Sequence, residues 1–113
     1  MAKNSFTGEK KFKPLKSLPF LPALTTLSLH NTGINDLSIL SNCSNIKTLS
    51  ICETGAIDIS PIEKLPNLKR LDLEDLNING FEKLNKLTGI ENLSLCNVNI
   101  QQFPFHKFPN VKE

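Results

Sequence analysis

Residues 68–73 read Leu68-Lys69-Arg70-Leu71-Asp72-Leu73. The last three alternate apolar, polar and apolar, the period of a strand with one buried face. The same spacing stands in Leu24-Thr25-Thr26-Leu27-Ser28-Leu29, in Ile46-Lys47-Thr48-Leu49-Ser50-Ile51 and in Ile90-Glu91-Asn92-Leu93-Ser94-Leu95. Each stretch begins 22 residues after the one before. Leucine (18 residues) and isoleucine (10 residues) make up about a quarter of the 113-residue chain, and this spacing accounts for much of the excess. A fixed period of this length is the mark of a stacked array, in which no single unit can close its own core.

The half-unit after each strand is apolar at every third position, as in Leu37, Leu40 and Cys43. That spacing suits a short 3₁₀ or α turn. Leu37, Ile59, Phe81 and Phe103 form one column, and Cys43, Leu65 and Leu87 form another. Ser60-Pro61-Ile62-Glu63 predicts a helical start, with Ser60 as cap and Pro61 in the first turn. Asn45 and Asn67 close the first two units. The fourth unit is one residue short, so Phe108 and Asn110 take its last columns and Val111 opens a fifth. Upstream, Phe12, Leu15, Leu18 and Leu21 match the second half of a unit. Residues 1–11 read as a flexible basic segment, and residues 12–113 as the folded domain.

The pattern L-x-x-L-x-L followed by a variable half resembles a leucine-rich repeat. Its length, and the wording of Ile57-Asp58-Ile59-Ser60-Pro61-Ile62 and Leu65-Pro66-Asn67-Leu68, are similar to the 22-residue subclass. Bacterial internalins and the leucine-rich regulatory subunit of protein phosphatase type one belong there. The resemblance implies an α/β fold. It would be a right-handed leucine-rich-repeat solenoid with a parallel concave sheet, short 3₁₀/α turns on the convex side, and about four full repeats after an N-terminal half-repeat. Thr32, Thr54, Leu76 and Val98 replace the asparagine usual in the family, so its buried asparagine ladder is absent and looser turns are expected after the strands.

On this reading the residues between the leucines face outward. Thr26, Thr48, Arg70 and Asn92 make one row; Ser28, Ser50, Asp72 and Ser94 the next; His30, Cys52, Glu74 and Cys96 a third. Asn31, Glu53, Asp75 and Asn97 lie just beyond. Charge gathers in Glu53, Arg70, Asp72, Glu74 and Asp75, with local pairing expected between Arg70 and Asp72 and between Lys69 and Glu91. Two readings of this face compete: plain solvated surface, and a partner surface with an acidic centre. The candidate partner-binding residues are Arg70, Asp72, Glu74, Asp75, Glu53, His30, Cys52 and Ser50, facing a protein with a basic surface.

His30, Cys52 and Glu74 stand consecutively in one row, but a row on a sheet is a line. Metal coordination needs ligands converging from several directions, and a nucleophilic thiol needs a pocket with an oxyanion site. The expectation is no enzyme, no cofactor and no metal. His106, in Phe103-Pro104-Phe105-His106-Lys107-Phe108-Pro109, reads as a partly buried structural residue within a stretch that fills the end of the core. The net charge of +2 does not point to nucleic acid or an acidic membrane. No apolar run reaches the roughly 20 residues of a membrane span. Cys52 and Cys96 are expected roughly 9–10 Å apart, two strand spacings, too far for a disulfide. That points to a reducing, cytoplasmic setting. Function is therefore expected to be non-catalytic protein binding, as an adaptor-like module. A structural or capping piece of a larger array and a host-targeting effector stand as alternatives. End-to-end self-association is a further option.

Overall fold

The computed structural model describes residues 5–9, 23–31, 36–80, 83, 87–99 and 105–111. Among the described residues, five strands form one parallel sheet in chain order: β1 (Ser5–Glu9), β2 (Thr26–His30), β3 (Thr48–Asp58), β4 (Arg70–Asn79) and β5 (Asn92–Cys96). Among the described residues, 3₁₀ segments Leu37–Asn42, Ser60–Lys64 and Phe105–Lys107 follow strands β2, β3 and β5. The architecture is α/β, with few helical residues.

The strands sit where the leucine spacing puts them. Leu27 pairs with Leu49, Leu49 with Leu71 and Leu71 with Leu93. Leu29, Ile51, Leu73 and Leu95 form the parallel line two residues on. Leu27, Leu49 and Leu71 are fully buried, as are Leu29 and Ile51. They pack against Leu37, Leu40, Cys43, Ile59, Ile62 and Leu65 from the 3₁₀ side. One apolar face per strand and one apolar edge per turn thus close a single core. Phe108 is buried in it, with Leu87 and Val111 packed alongside.

Ser5–Glu9, expected within a flexible lead-in, forms β1 instead and pairs with β2, Phe6 opposite Leu27 and Gly8 opposite Leu29. Gly8 occupies a leucine line and the offset is 21 residues, two departures that hide the strand from a search at period 22. The predicted columns at residues 12–22, 32, 81, 84 and 103 lie outside the described residues.

Strands β3 and β4 run longer than the leucine triplets. Beyond Cys52↔Glu74 the pairing resumes at Gly55↔Leu76, so Glu53 and Thr54 on β3 oppose Asp75 alone. This is a bulge, which slips the register by one residue. After it, Ile57 faces Ile78, both buried, whereas a constant 22-residue register would have set Ile57 against Asn79. On β4 the slip falls at Asp75, whose φ of 63° is left-handed. Its burial pattern changes phase there, from Leu71 and Leu73 to Leu76 and Ile78. Leu76 is buried.

The cap of the second 3₁₀ segment also differs from expectation. Ser60 lies inside the segment, and the Oδ1 of Asp58 accepts from the Ser60 backbone N–H at 2.9 Å. Asp36 does the same for Ser38 at 2.9 Å. That hydrogen bond holds the Asp58 carboxyl below its ordinary range, and Lys83, 3.7 Å away, adds to it. Gly80 adopts φ +94°, and a β-carbon there would run into Asp58 Oδ1. Only glycine fits both the backbone conformation and the space.

The turns before the strands share one bond pattern. Backbone N–H groups of Ile46, Leu68, Ile90 and Val111 donate to the carbonyls of Cys43, Leu65, Leu87 and Phe108. The closing asparagines act here: Asn67 Nδ2 donates to the Ser44 carbonyl at 3.3 Å, and Asn110 Nδ2 to the Thr88 carbonyl. Among the described residues no helix is long and apolar enough to cross a membrane.

Candidate functional site

The outer face of the sheet carries the predicted rows in register. Ser28, Ser50, Asp72 and Ser94 are consecutive partners, and so are His30, Cys52, Glu74 and Cys96. The alternation that buries the leucines forces these residues outward. His30, Arg70, Glu74 and Cys96 are exposed; Ser50, Cys52, Asp72 and Asp75 are half-buried. The side chain of Glu53 lies outside the described residues, although its backbone belongs to the bulge of β3.

Two sets of side-chain contacts lie on β4 and its neighbours. Arg70 Nε donates to both carboxylate oxygens of Asp72, at 3.1 and 3.3 Å. The arginine side chain is 55% exposed and the aspartate 28%, so water screens this pair and its worth is about 0–1 kcal/mol. Next to it, Cys52 Sγ donates toward Glu74 Oε2 at 3.4 Å and lies 3.9 Å from Asp75 Oδ2. The other oxygen of Asp75 accepts from Asn97 Nδ2 at 2.8 Å. Lys69 and Glu91, expected to pair by charge, meet through the backbone, the Glu91 N–H donating to the Lys69 carbonyl at 2.9 Å.

The left-handed turn of Asp75 brings its carboxylate to the thiol. Asn31 and Asn97, on the same outer row, share that conformation, with φ of 52° and 54°. Short polar side chains that bond locally tolerate it best. The Asn31 N–H donates to the Cys52 carbonyl at 2.8 Å, which ties the end of β2 to β3. Sequence reasoning placed these residues outside the rows and missed their role. The signal was present, since asparagine or aspartate recurs at Asn31, Asp75 and Asn97.

Among the described residues, Cys52, Glu74 and Asp75 form the group that could hold a cation. One ligand atom from each lies within 4.8 Å of the others. His30, which the row suggested as the third member, is not part of that group; Asp75 is. The grouping is open to solvent on the Glu74 side. Beside it, Asp75, Leu76, Asn77, Asn97, Val98 and Asn99 line a shallow depression of about 460 Å³.

The remaining polar candidates separate from this face. Cys43 is buried in the core, and burial pushes its thiol up from the ordinary range. Cys43, Cys52 and Cys96 are all thiols; Cys52 and Cys96 flank Glu74 across three strands. His106 is exposed rather than partly buried, because Phe108, two residues on, turns into the core in its place. No protein-family model, curated protein or solved structure matches this chain.

Proposed function

We propose that the chain is a right-handed leucine-rich-repeat solenoid and a non-catalytic binding module. It would hold a partner protein on the outer, concave face of its sheet, centred on Asp72, Glu74 and Asp75. The observation that carries this reading is the confinement of charge. On the outer face β4 presents Arg70, Asp72 and Glu74, while its neighbours in the same rows offer Thr48, Ser50 and Cys52 on one side and Asn92, Ser94 and Cys96 on the other. Three carboxylates against one guanidinium leave a local excess of negative charge. An exposed Arg70–Asp72 pair is weak enough for a basic partner to compete for the carboxylates.

The resemblance to the 22-residue subclass supports the solenoid reading. The strand offsets of 22 residues and the shared turn bonds fit it. The three thiols support a reducing compartment, where the module would serve as an adaptor or regulatory subunit.

The experiment is the double reversal Asp72→Lys with Glu74→Lys, measured against a partner recovered by pull-down. Electrostatic contact mainly speeds association and weakens with salt. The variant should keep its circular dichroism and lose association rate, and wild-type binding should fall as salt rises. Unchanged, salt-independent binding by a folded variant would contradict the reading.

A further inference from the structure

The chain is rich in asparagine, and Asn79 is the one asparagine followed by glycine. That order matters chemically. The backbone nitrogen after an asparagine can attack the side-chain amide carbon and close a five-membered ring. A side chain on the following residue obstructs the attack. Glycine has none, and it leaves the backbone the widest freedom to reach the ring geometry.

The fold fixes this glycine in place. Gly80 is left-handed, and Asp58 Oδ1 fills the space a β-carbon would need. Asn79 ends β4 with its side chain exposed to water. Among the described residues its support is one-sided. Pairing with β3 reaches Asp58↔Asn79, whereas pairing with β5 ends at Glu74↔Cys96, with the single bridge Asn77↔Asn99 beyond. Ring closure requires the extended backbone at Asn79 to open, and strand ends with few neighbours open at the lowest free energy.

We propose that Asn79-Gly80 is a site of spontaneous modification, where asparagine converts to isoaspartate and aspartate and so unlocks the end of the β3–β4 pair. The Gly80 nitrogen bonds to Asn79 Cγ, the Cγ–Nδ2 bond breaks, and ammonia leaves with the Gly80 proton. Water then opens the ring. Cleavage between Cγ and the Gly80 nitrogen gives aspartate. Cleavage at the main-chain carbonyl carbon gives isoaspartate, with the chain routed through Cγ. No electrons are exchanged, and water is the only co-reactant.

Both products set a carboxylate beside Asp58. Ile57 and Ile78 face the core, so their neighbours Asp58 and Asn79 stand opposite each other on the outer face. Like charges placed directly opposite destabilise a strand pair. Isoaspartate does more. It adds a methylene to the backbone, and the carbonyl that accepts from the Ile59 N–H at 2.9 Å becomes part of a free carboxylate. That bond ties β4 to Ile59, the cap position of the second 3₁₀ segment.

The test is ageing of the full chain at mildly alkaline pH and body temperature, followed by tryptic mass spectrometry. Cleavage after Arg70 and Lys83 puts Asn77 and Asn79 in one peptide, where Asn77, followed by Ile78, is an internal control. The amide should be lost at Asn79 and kept at Asn77, with isoaspartate among the products. Asn79→Gln should stay intact over the same time. Aged protein, separated by charge, should unfold at a lower denaturant midpoint than fresh protein. An amide retained at Asn79, or lost equally at both positions, overturns the site. Aspartate without isoaspartate overturns the ring, and an aged protein as stable as the fresh one overturns the unlocking.

Discussion

Strands β4 and β5 carry nearly the same apolar pattern, Leu71-x-Leu73 and Leu93-x-Leu95, yet end in different physical states. On β4 both leucines are sealed, since β3 and β5 flank them, and the outer face carries an ion pair and a carboxylate–thiol contact. On β5 one leucine is half-covered, the other is exposed, and the outer face is uncharged. The pattern sets which face turns inward; position in the sheet order sets how much area leaves water. A leucine line contributes its full hydrophobic free energy only where strands stand on both sides.

The largest expected effect sharpens that contrast. Leu71→Ala should cost about 2–5 kcal/mol, the range for a sealed leucine leaving a cavity. Leu95→Ala should cost about 1–2 kcal/mol, because 37% of its area never left water. Denaturant melts of both variants, at a concentration where the chain is monomeric, decide it; equal losses would mean that β5 is as enclosed as β4.

A smaller effect is expected at the turn after β4, where Gly80 lies against Asp58 at the end of β3. Gly80→Ala imposes a left-handed alanine and drives its β-carbon into Asp58 Oδ1. Strain of this type is worth about 1–3 kcal/mol, read as a lower denaturation midpoint at unchanged slope. A neutral result would show that the turn after β4 relaxes freely, unlike the sealed strand before it.

The smallest effect is a pH dependence at the same turn. The folded-state pKa of Asp58 is depressed, by its bond to the Ser60 N–H first and by Lys83 in addition. Its contribution is therefore complete above the ordinary aspartate value of about 3.9 and is lost as the pH falls through the lower folded value. Asp58→Asn should flatten the acid limb of the stability curve below pH 4 slightly and lower stability near neutrality by the same small amount, since the group is half-exposed. A wild-type acid limb that coincides with that of Asp58→Asn would remove Asp58 from the account.

Much of this sheet could be read from the leucine spacing, since a 22-residue step fixes both the strand positions and the three outward rows. Three features escaped for physical reasons. Strand β1 has Gly8 where the pattern wants leucine. The bulge opposite Asp75 depends on a left-handed backbone, which residue type permits without dictating. The Cys52–Glu74–Asp75 contact follows from that same turn, whereas straight rows set Cys52 beside His30 and Glu74 and leave Asp75 just beyond. Ser60 reads as a cap in the sequence, but the cap position falls on Ile59, and the carboxylate of Asp58, the last residue of β3, accepts from the Ser60 N–H.

The register itself is the claim on which both the sealed centre and the charged outer face depend. Cross-strand nuclear Overhauser contacts between backbone protons measure it directly. The account predicts parallel contacts linking Leu49, Leu71 and Leu93 in sequence, and Ile57 to Ile78 beyond the bulge. Antiparallel contacts at the leucines, or a uniform 22-residue step that sets Ile57 against Asn79, would contradict it.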